Sequence, residues 1–139
     1  MPLIKWRDSF SVGVQRFDDE HKVLLNIINE MFVIVRDQKS VEHLVIEINK
    51  LIQYTQEHFT EEEAAMAEVG YPALEKHKEI HKNLLKDVTV FKKRVDEGDE
   101  QAITTFYHFL RDWLLTHIIE EDMKYKPFLA DEEKLAAAV

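Results

Sequence analysis

The chain has 139 residues, the length of one ordinary domain. It carries 27 acidic and 18 basic residues and a formal net charge of −9, which argues against a nucleic-acid partner, because phosphates are bound by clustered basic residues. It contains no cysteine, which excludes disulfides, thiolate zinc sites and iron–sulfur clusters. Apolar runs such as Met31–Val35 are far shorter than a membrane helix of roughly 20 residues. No signal peptide is apparent, so we expect a cytoplasmic protein without a membrane partner.

The first part of the chain, residues 1–17, is an apolar arm. Trp6 and Phe10 belong to a weak alternation of apolar and polar residues, which Gly13 interrupts. We expect an extended or irregular segment that lies on the rest of the domain. Asp18 follows as the predicted N-cap of the first helix.

Beyond the arm, four stretches repeat apolar residues every three or four positions, which is typical of amphipathic helices. Short polar breaks join these stretches. We therefore predict a single all-α domain built as an antiparallel up-down-up-down four-helix bundle. The bundle with a C-terminal segment is predicted over residues 18–129 and a tail over 130–139, with helices over about 19–36, 41–68, 72–97 and from 100 onwards.

Residues typical of helix ends support these boundaries. Ser40 and Asp99 are suited to cap the second and fourth helices. Gly70 and Gly98 are suited to end the second and third helices. Pro72 fits the first turn of the third helix.

Histidines recur at helical spacing in this predicted bundle. His58 and Glu62 are four residues apart, as are His77 and His81, so each pair shares one face of its helix. One histidine on each helix lies 15 to 17 residues from the same end of the bundle, a distance of about 23–26 Å. These histidines continue the apolar stripes, so we expect the imidazoles to point inward at one level. The four are His21, His58, His81 and His117.

Such a cluster needs partners for its polar atoms. A buried polar group without a partner costs roughly 1–3 kcal/mol, and a buried carboxylate costs more unless it is paired or bound to a metal. Imidazole and carboxylate are both metal ligands. Five inward histidines with one or two carboxylates are too many donors for one tetrahedral ion, but they suit two ions bridged by carboxylates.

The histidine motifs resemble those of the hemerythrin family, and of single-domain bacterial hemerythrins in particular. The resemblance extends over essentially the whole chain. The motifs are Asp18-Asp19-Glu20-His21, His58-x-x-x-Glu62, His77-x-x-x-His81 and His117-x-x-x-x-Asp122.

The resemblance implies a non-haem centre of two iron ions that share seven protein ligands and an oxo or hydroxo bridge from solvent. O2 then binds at the open position of one iron. The implied ligands are His77, His81 and His117 on one iron, His21 and His58 on the iron with the open position, and Glu62 and Asp122 on both. The histidine-rich set differs from the carboxylate-rich ferritin-like sites.

The family also surrounds its O2 with apolar side chains, which exclude water and proton donors. The resemblance therefore implies reversible binding by a carrier, store or scavenger that is not an enzyme, with O2 as its ligand and NO as a second candidate. The matching pocket residues are Leu24, Phe59, Trp113, Leu114, Ile118 and Tyr125. For Tyr125 two roles are open: a hydrogen bond near Glu62 or a ligand imidazole, or closure of the pocket alone.

The fourth motif presents a geometric problem. On a regular α-helix, Asp122 is rotated by about 140° from the face of His117. We therefore predict a distorted or terminating helix between Ile118 and Asp122.

Other polar residues lie outside the motif. Glu61 and Glu63 flank Glu62 in an acidic run and are expected to be solvated. His43 and His108 are expected to be ordinary surface or partly buried residues.

Three other functions remain open. Sensing of O2, redox state or NO by the same site needs a separate partner, because so short a chain is not expected to include a signalling domain. A di-iron oxidase or peroxidase needs an acid near the open iron position, and we find no spare inward acid there. The last alternative is a helical bundle that holds zinc or manganese, or no metal.

Overall fold

The structure is a computed structural model that describes residues 4–129. Four long α-helices are joined by short loops, so consecutive helices run antiparallel. Each helix packs against its neighbours in the chain, and α1 also packs against α4, which closes the predicted four-helix bundle. Residues 123–129 form a further helical segment. The helices are α1 (Gln15–Arg36), α2 (Val41–Glu68), α3 (Leu74–Asp96) and α4 (Glu100–Thr116).

The predicted helix ends are confirmed at four positions. The Ser40 side chain accepts a hydrogen bond from the backbone N–H of the third residue after it, at the start of α2, and Asp99 caps α4 in the same way. Gly70 and Gly98 follow α2 and α3 with φ of 68° and 84°, a left-handed conformation that glycine adopts without strain.

The start of two helices differs from the prediction. α1 begins at Gln15, so Asp18 lies inside its first turn and is not the N-cap. Asp18 is buried and accepts hydrogen bonds from Ser11 Oγ at 2.6 Å and from the Val12 N–H at 2.9 Å. Both oxygens of the Asp18 carboxylate thus hold the arm against the bundle through hydrogen bonds, and the side chain does not cap the helix. Pro72 also precedes its helix, which begins two residues later.

The arm lies on the bundle, as expected, with a short 3-10 turn at Asp8–Phe10. The Ile4 N–H donates to Asn29 Oδ1 at 2.9 Å, and Asn29 Nδ2 donates back to the Ile4 carbonyl at 2.8 Å. These bonds tie the start of the described chain to α1. The tail predicted over 130–139 lies outside the described residues.

Buried apolar side chains form two clusters. The larger cluster is the main core and occupies most of the bundle's length. The smaller cluster joins the arm to residues near the ends of α2 and of the described chain, and it includes Val12, Phe17, Met66 and Tyr125. Rings from both clusters contact the histidines, so the histidine layer lies between the two. No helix in the described part of the chain is long and apolar enough to cross a membrane.

Candidate metal centre

The structure brings the seven predicted ligands together in one buried cluster. Each of the seven side chains is at most 4% exposed, although they come from α1, α2, α3 and the turn that follows α4. Their nitrogen and oxygen atoms form two groups that could each hold a metal ion, with all donor atoms of a group within 4.8 Å of one another. The cluster consists of His21, His58, Glu62, His77, His81, His117 and Asp122.

The turn after α4 is what allows His117 and Asp122 to face the same site. Residues His117–Asp122 form a π-helical turn, in which hydrogen bonds span five residues instead of four. A pair of residues five apart therefore aligns on one face. The predicted distortion between Ile118 and Asp122 is confirmed.

Three histidines form one half of the cluster, which we call the three-histidine set (His77, His81 and His117). Asp122 Oδ1 lies 3.1 Å from His77 Nε2 and 3.0 Å from His117 Nε2. Glu62 Oε1 lies 3.3 Å from His81 Nε2. The Nε2 atoms of His81 and His117 are 3.1 Å apart, so these nitrogens converge on one point.

Two histidines form the other half, the two-histidine set (His21 and His58). Asp122 Oδ2 lies 3.1 Å from His21 Nε2. Glu62 Oε2 lies 3.1 Å from His58 Nε2 and 3.4 Å from His21 Nε2. Each carboxylate therefore presents one oxygen to each histidine set, which is the geometry of a bridging ligand between two ions.

The polar atoms at the centre fit metal ions better than they fit one another. Several lack a hydrogen bond of good geometry within residues 4–129: Nε2 of His21 and His77, Oε1 of Glu62 and both oxygens of Asp122. Buried polar atoms without partners are costly. Cations between the two histidine sets would satisfy these atoms, and imidazole with carboxylate suits iron and other first-row transition metals.

The charges in the cluster point the same way. Burial alone would lower the pKa of His58, but Glu62 and Glu20 outweigh burial and raise it to about 10. Burial is likewise outweighed at His77, where Asp122 and Glu62 raise the pKa to about 9. The pKa of Glu62 lies well below its usual value, despite burial, because histidines surround it. In the absence of metal, the carboxylates thus favour the protonated, positively charged form of these imidazoles.

Two outer carboxylates contact the ring nitrogens that face away from the centre. His58 Nδ1 lies 2.6 Å from Glu20 Oε1, and His81 Nδ1 lies 3.0 Å from Glu63 Oε2. A carboxylate at Nδ1 fixes the tautomer that leaves Nε2 free for a metal. The expectation that Glu63 is simply solvated was wrong, since it is only 24% exposed; Glu61 is exposed, as expected.

Sequence reasoning missed these two carboxylates because it sought donors that face the metals. The available signal was that each ligand imidazole leaves one N–H in need of an acceptor. Glu20 immediately precedes His21, and Glu63 immediately follows Glu62.

Tyr125 contacts the cluster from the side of the smaller core. Its hydroxyl donates to Glu62 Oε2 at 2.8 Å, and the side chain is fully buried. Phe17 lies edge-on to Tyr125 and to His58. Of the two roles left open for Tyr125, the structure supports the hydrogen bond to Glu62.

The opposite side of the cluster faces the main core. Phe59 stacks on His81 with ring centroids 3.5 Å apart, and Trp113 stacks on His117 at 4.3 Å. An apolar cavity lies next to these rings. Of the six predicted pocket residues, Leu24, Phe59, Trp113 and Leu114 line the cavity.

The remaining two predicted pocket residues lie elsewhere. Ile118 packs within the main core, and Tyr125 belongs to the smaller cluster. His43 bonds to Ser40 at the surface, and His108 lies half-buried beside Tyr107, so both are ordinary residues, as expected.

Known proteins are similar to this chain in sequence and in fold. The profile described as "Hemerythrin HHE cation binding domain" matches residues 12–129. The chain belongs to the hemerythrin family. It is 32% identical over 127 residues to a bacteriohemerythrin of Clostridium acetobutylicum, an alignment that covers 88% of this chain and 98% of that protein. It is 34% identical over 121 residues to myohemerythrin-1 of Phascolopsis gouldii, with 87% and 90% coverage.

A solved wild-type hemerythrin structure has the same fold as this hemerythrin. The TM-score is 0.82 at 27% identity, with 93% of this chain and 99% of the other covered. Hemerythrins hold a non-haem di-iron centre, and the buried cluster of this member is able to hold metal.

Proposed function

We propose that this hemerythrin binds O2 reversibly at a di-iron centre, as a carrier, store or scavenger. The observation that carries the proposal is that Glu62 and Asp122 each present one oxygen to the three-histidine set and one to the two-histidine set. Two reduced iron ions would supply the electrons and the vacant coordination position that O2 binding needs.

The proposed ligand assignment follows the two sets. His77, His81 and His117 hold one ion, and His21 and His58 hold the other. Glu62 and Asp122 bridge them. The two-histidine set offers one nitrogen fewer, so an ion held there would keep a position for O2.

The chain's apolar residues support binding without turnover. Phe59 and Trp113 cover two ligand imidazoles on the side of the main core, and Leu24 and Leu114 extend this apolar wall. None of the described residues that line the adjoining cavity is an acid or a base. Bonds of bound O2 are cleaved with the help of a proton donor, so we propose a carrier and not an oxidase or peroxidase.

Optical spectroscopy tests the proposal directly. The purified protein in air should contain iron and show the visible charge-transfer bands of a bridged iron pair. The reduced, deoxygenated form should gain a visible band when O2 is added and lose it under vacuum. A colourless protein that contains only zinc would contradict the proposal, and rapid consumption of O2 would favour an enzyme.

The pocket residues provide a second test. Replacing Leu114 by a smaller residue should admit water and speed irreversible oxidation of the reduced protein. An unchanged rate would mean that Leu114 does not protect the site. NO is a diatomic of similar size, and we propose it as an alternative ligand to be tested in the same way.

The wider organisation is part of the same proposal. We infer a single hemerythrin-like domain over residues 1–139, supported by the match to residues 12–129. A cytoplasmic location stays a prediction, which cell fractionation can test.

A further inference from the structure

One ligand imidazole is connected to the protein surface through a single aromatic ring. The indole of Trp113 stacks on the imidazole of His117, with ring centroids 4.3 Å apart and an interplanar angle of 13°. Trp113 is half-buried. The other non-ligand rings of the described chain that contact a ligand imidazole are at most 4% exposed: Phe17, Phe59 and Tyr125. Trp113 is therefore the ring through which a partner can reach a ligand.

A surface groove between α3 and α4 exposes this ring. The groove has a volume of about 410 Å³ and also reaches His117. Its large apolar lining residues are all half-buried: Ile80, Phe109 and Trp113. The charged residues in its described lining are both acidic: Asp112 and Glu121. We call this surface the α3/α4 groove.

The charges favour a basic partner at the α3/α4 groove. Glu121 is paired with Lys124 at 3.2 Å, but the Asp112 side chain is 77% exposed and lies 3.8 Å from Arg111. The chain as a whole carries a net charge of −9, so a positively charged surface is attracted and a negative one is repelled. The groove on the other side of α3 differs, because its lining includes two lysines.

We propose that the α3/α4 groove is the docking surface of a small electron-transfer protein, whose electrons reach the metal centre through Trp113 and His117. The partner has a cofactor edge exposed within an apolar patch and a basic surface around that patch. Contact with the indole places this cofactor one ring away from a metal ligand. The inference rests on the proposed function, because an iron pair is the acceptor of the electrons.

The proposed function needs electrons from outside the chain. O2 binding uses the reduced ion pair, and oxidation of that pair stops binding until two electrons are returned. The chain contains no cysteine, so no thiol can supply them. Two donor molecules each lose one electron, the two ferric ions each gain one, and the solvent-derived bridge takes up a proton from water. No bond of the polypeptide forms or breaks.

Stopped-flow reduction of the oxidised, iron-loaded protein tests the electron path. Hexaammineruthenium(II), a small cationic one-electron donor, is the probe. Trp113→Leu should lose the fast reduction of the wild type, because the ring contact with His117 is gone, and Trp113→Phe should restore it. Trp6→Leu is the control, since Trp6 lies in the arm and its ring contacts Phe10. A wild-type rate in Trp113→Leu would overturn the inference.

The charge of the groove is tested by two variants with the same change in net charge. Asp112→Lys should slow reduction by the cationic donor by about fivefold at low salt and less at high salt. Asp96→Lys makes the same change at an exposed position of α3, 16 residues beyond Ile80 and thus about 24 Å along the helix. It should leave the rate near that of the wild type. Equal effects of the two variants would contradict docking at the groove.

Docking itself is measured without electron transfer. Oxidised cytochrome c, a basic haem protein, is titrated into the oxidised, iron-loaded protein. In NMR spectra the indole N–H signal of Trp113 should shift or broaden, that of Trp6 should stay unchanged, and Asp112→Lys should weaken the effect. An unchanged Trp113 signal would overturn the docking surface. Because the titration uses no O2, docking with a failed O2 spectrum removes the carrier function, whereas an intact O2 spectrum without docking removes only this inference.

Discussion

The three-histidine set and the two-histidine set share both carboxylates but differ in their surroundings. The three-histidine set is covered by aromatic rings of the main core, with Phe59 on His81 and Trp113 on His117. The two-histidine set is contacted edge-on by Phe17, which lies in the first turn of α1. The three-histidine set therefore has more donor atoms and stacked aromatic rings on two of its imidazoles, whereas the two-histidine set has fewer donor atoms. Two shared carboxylates alone would therefore not make the two proposed metal positions equivalent.

The largest effect should be the loss of iron when a metal-ligand side chain is removed. The extent of the loss should depend on whether that side chain contacts both histidine sets or only one. Glu62→Ala removes a donor from each set, so nearly all iron should be lost. His21→Ala leaves the three-histidine set intact and should retain about one iron per chain. Elemental analysis of the purified variants measures both. His43→Ala is the control, since His43 is exposed and bonds to Ser40. Two irons in the Glu62 variant would refute the bridging role.

The pH dependence of the metal-free protein should show protonated histidines in both sets, because Asp122 and Glu62 outweigh burial and raise the pKa of His21 as well. The pKa values of His58 and His77 are raised to about 10 and about 9 from 6.5, so their contribution is complete below pH 6.5 and lost as pH rises through 9 and 10. The pKa values of Glu62 and Asp122 are lowered, so their contribution is lost on acidification below about pH 4.

Urea unfolding of the metal-free protein should therefore give the highest stability between about pH 5 and 6.5. The iron-loaded protein should behave differently, because bound metal requires neutral imidazoles and acid releases it. Metal-free stability that is constant from pH 6 to 10 would contradict the charge distribution described here.

The outer carboxylates should act on one set each. Glu20→Gln should weaken metal binding at the two-histidine set, and Glu63→Gln at the three-histidine set, each by about 10–100-fold. Anaerobic competition with a chelator measures the two affinities. The exposed residue Glu79 lies on α3, and Glu79→Gln should leave both unchanged. Equal weakening of both sites by either variant would argue against separate partners.

The smallest expected effect is a difference in the free energy of unfolding between variants of two buried tyrosines. Tyr125→Phe removes a hydrogen bond to the charged Glu62 and should lower the free energy of unfolding by about 1.5–3 kcal/mol. Tyr107 is also buried, but its hydroxyl finds no hydrogen-bond partner within the described chain. Tyr107→Phe should therefore be neutral or slightly stabilising. Similar losses for both variants would mean that the Tyr125 bond contributes little.

Helix order, four of the helix ends and the shared histidine level were predictable from the sequence because they follow from local patterns, whereas the starts of α1 and α3 were not. Spacing placed His58 and Glu62 on one face, and Ser40 and Asp99 marked helix starts. The irregular turn before Asp122 was also predictable, because a regular α-helix cannot direct both His117 and Asp122 toward the same site.

What escaped prediction depends on contacts between distant segments. Aspartate is a residue type that commonly caps helices, and only the folded arm shows that the Asp18 carboxylate accepts hydrogen bonds from Ser11 and Val12 instead. Glu20 and Glu63 reach histidines on neighbouring helices, a pairing that depends on helix rotation. Residue type alone does not specify those rotations.

The π-helical turn at His117–Asp122 accommodates one residue more than a regular α-helix would need to direct both side chains toward the site. If this stretch took up regular α-helical geometry at the same length, Asp122 would lie about 140° from the face of His117, and the segment that carries Tyr125 would turn with it. Deleting one residue inside the turn would instead place the aspartate four residues after His117, the spacing that puts His58 and Glu62 on one face. The last segment should therefore tolerate the loss of one residue here better than the loss of one residue within a regular part of the helices.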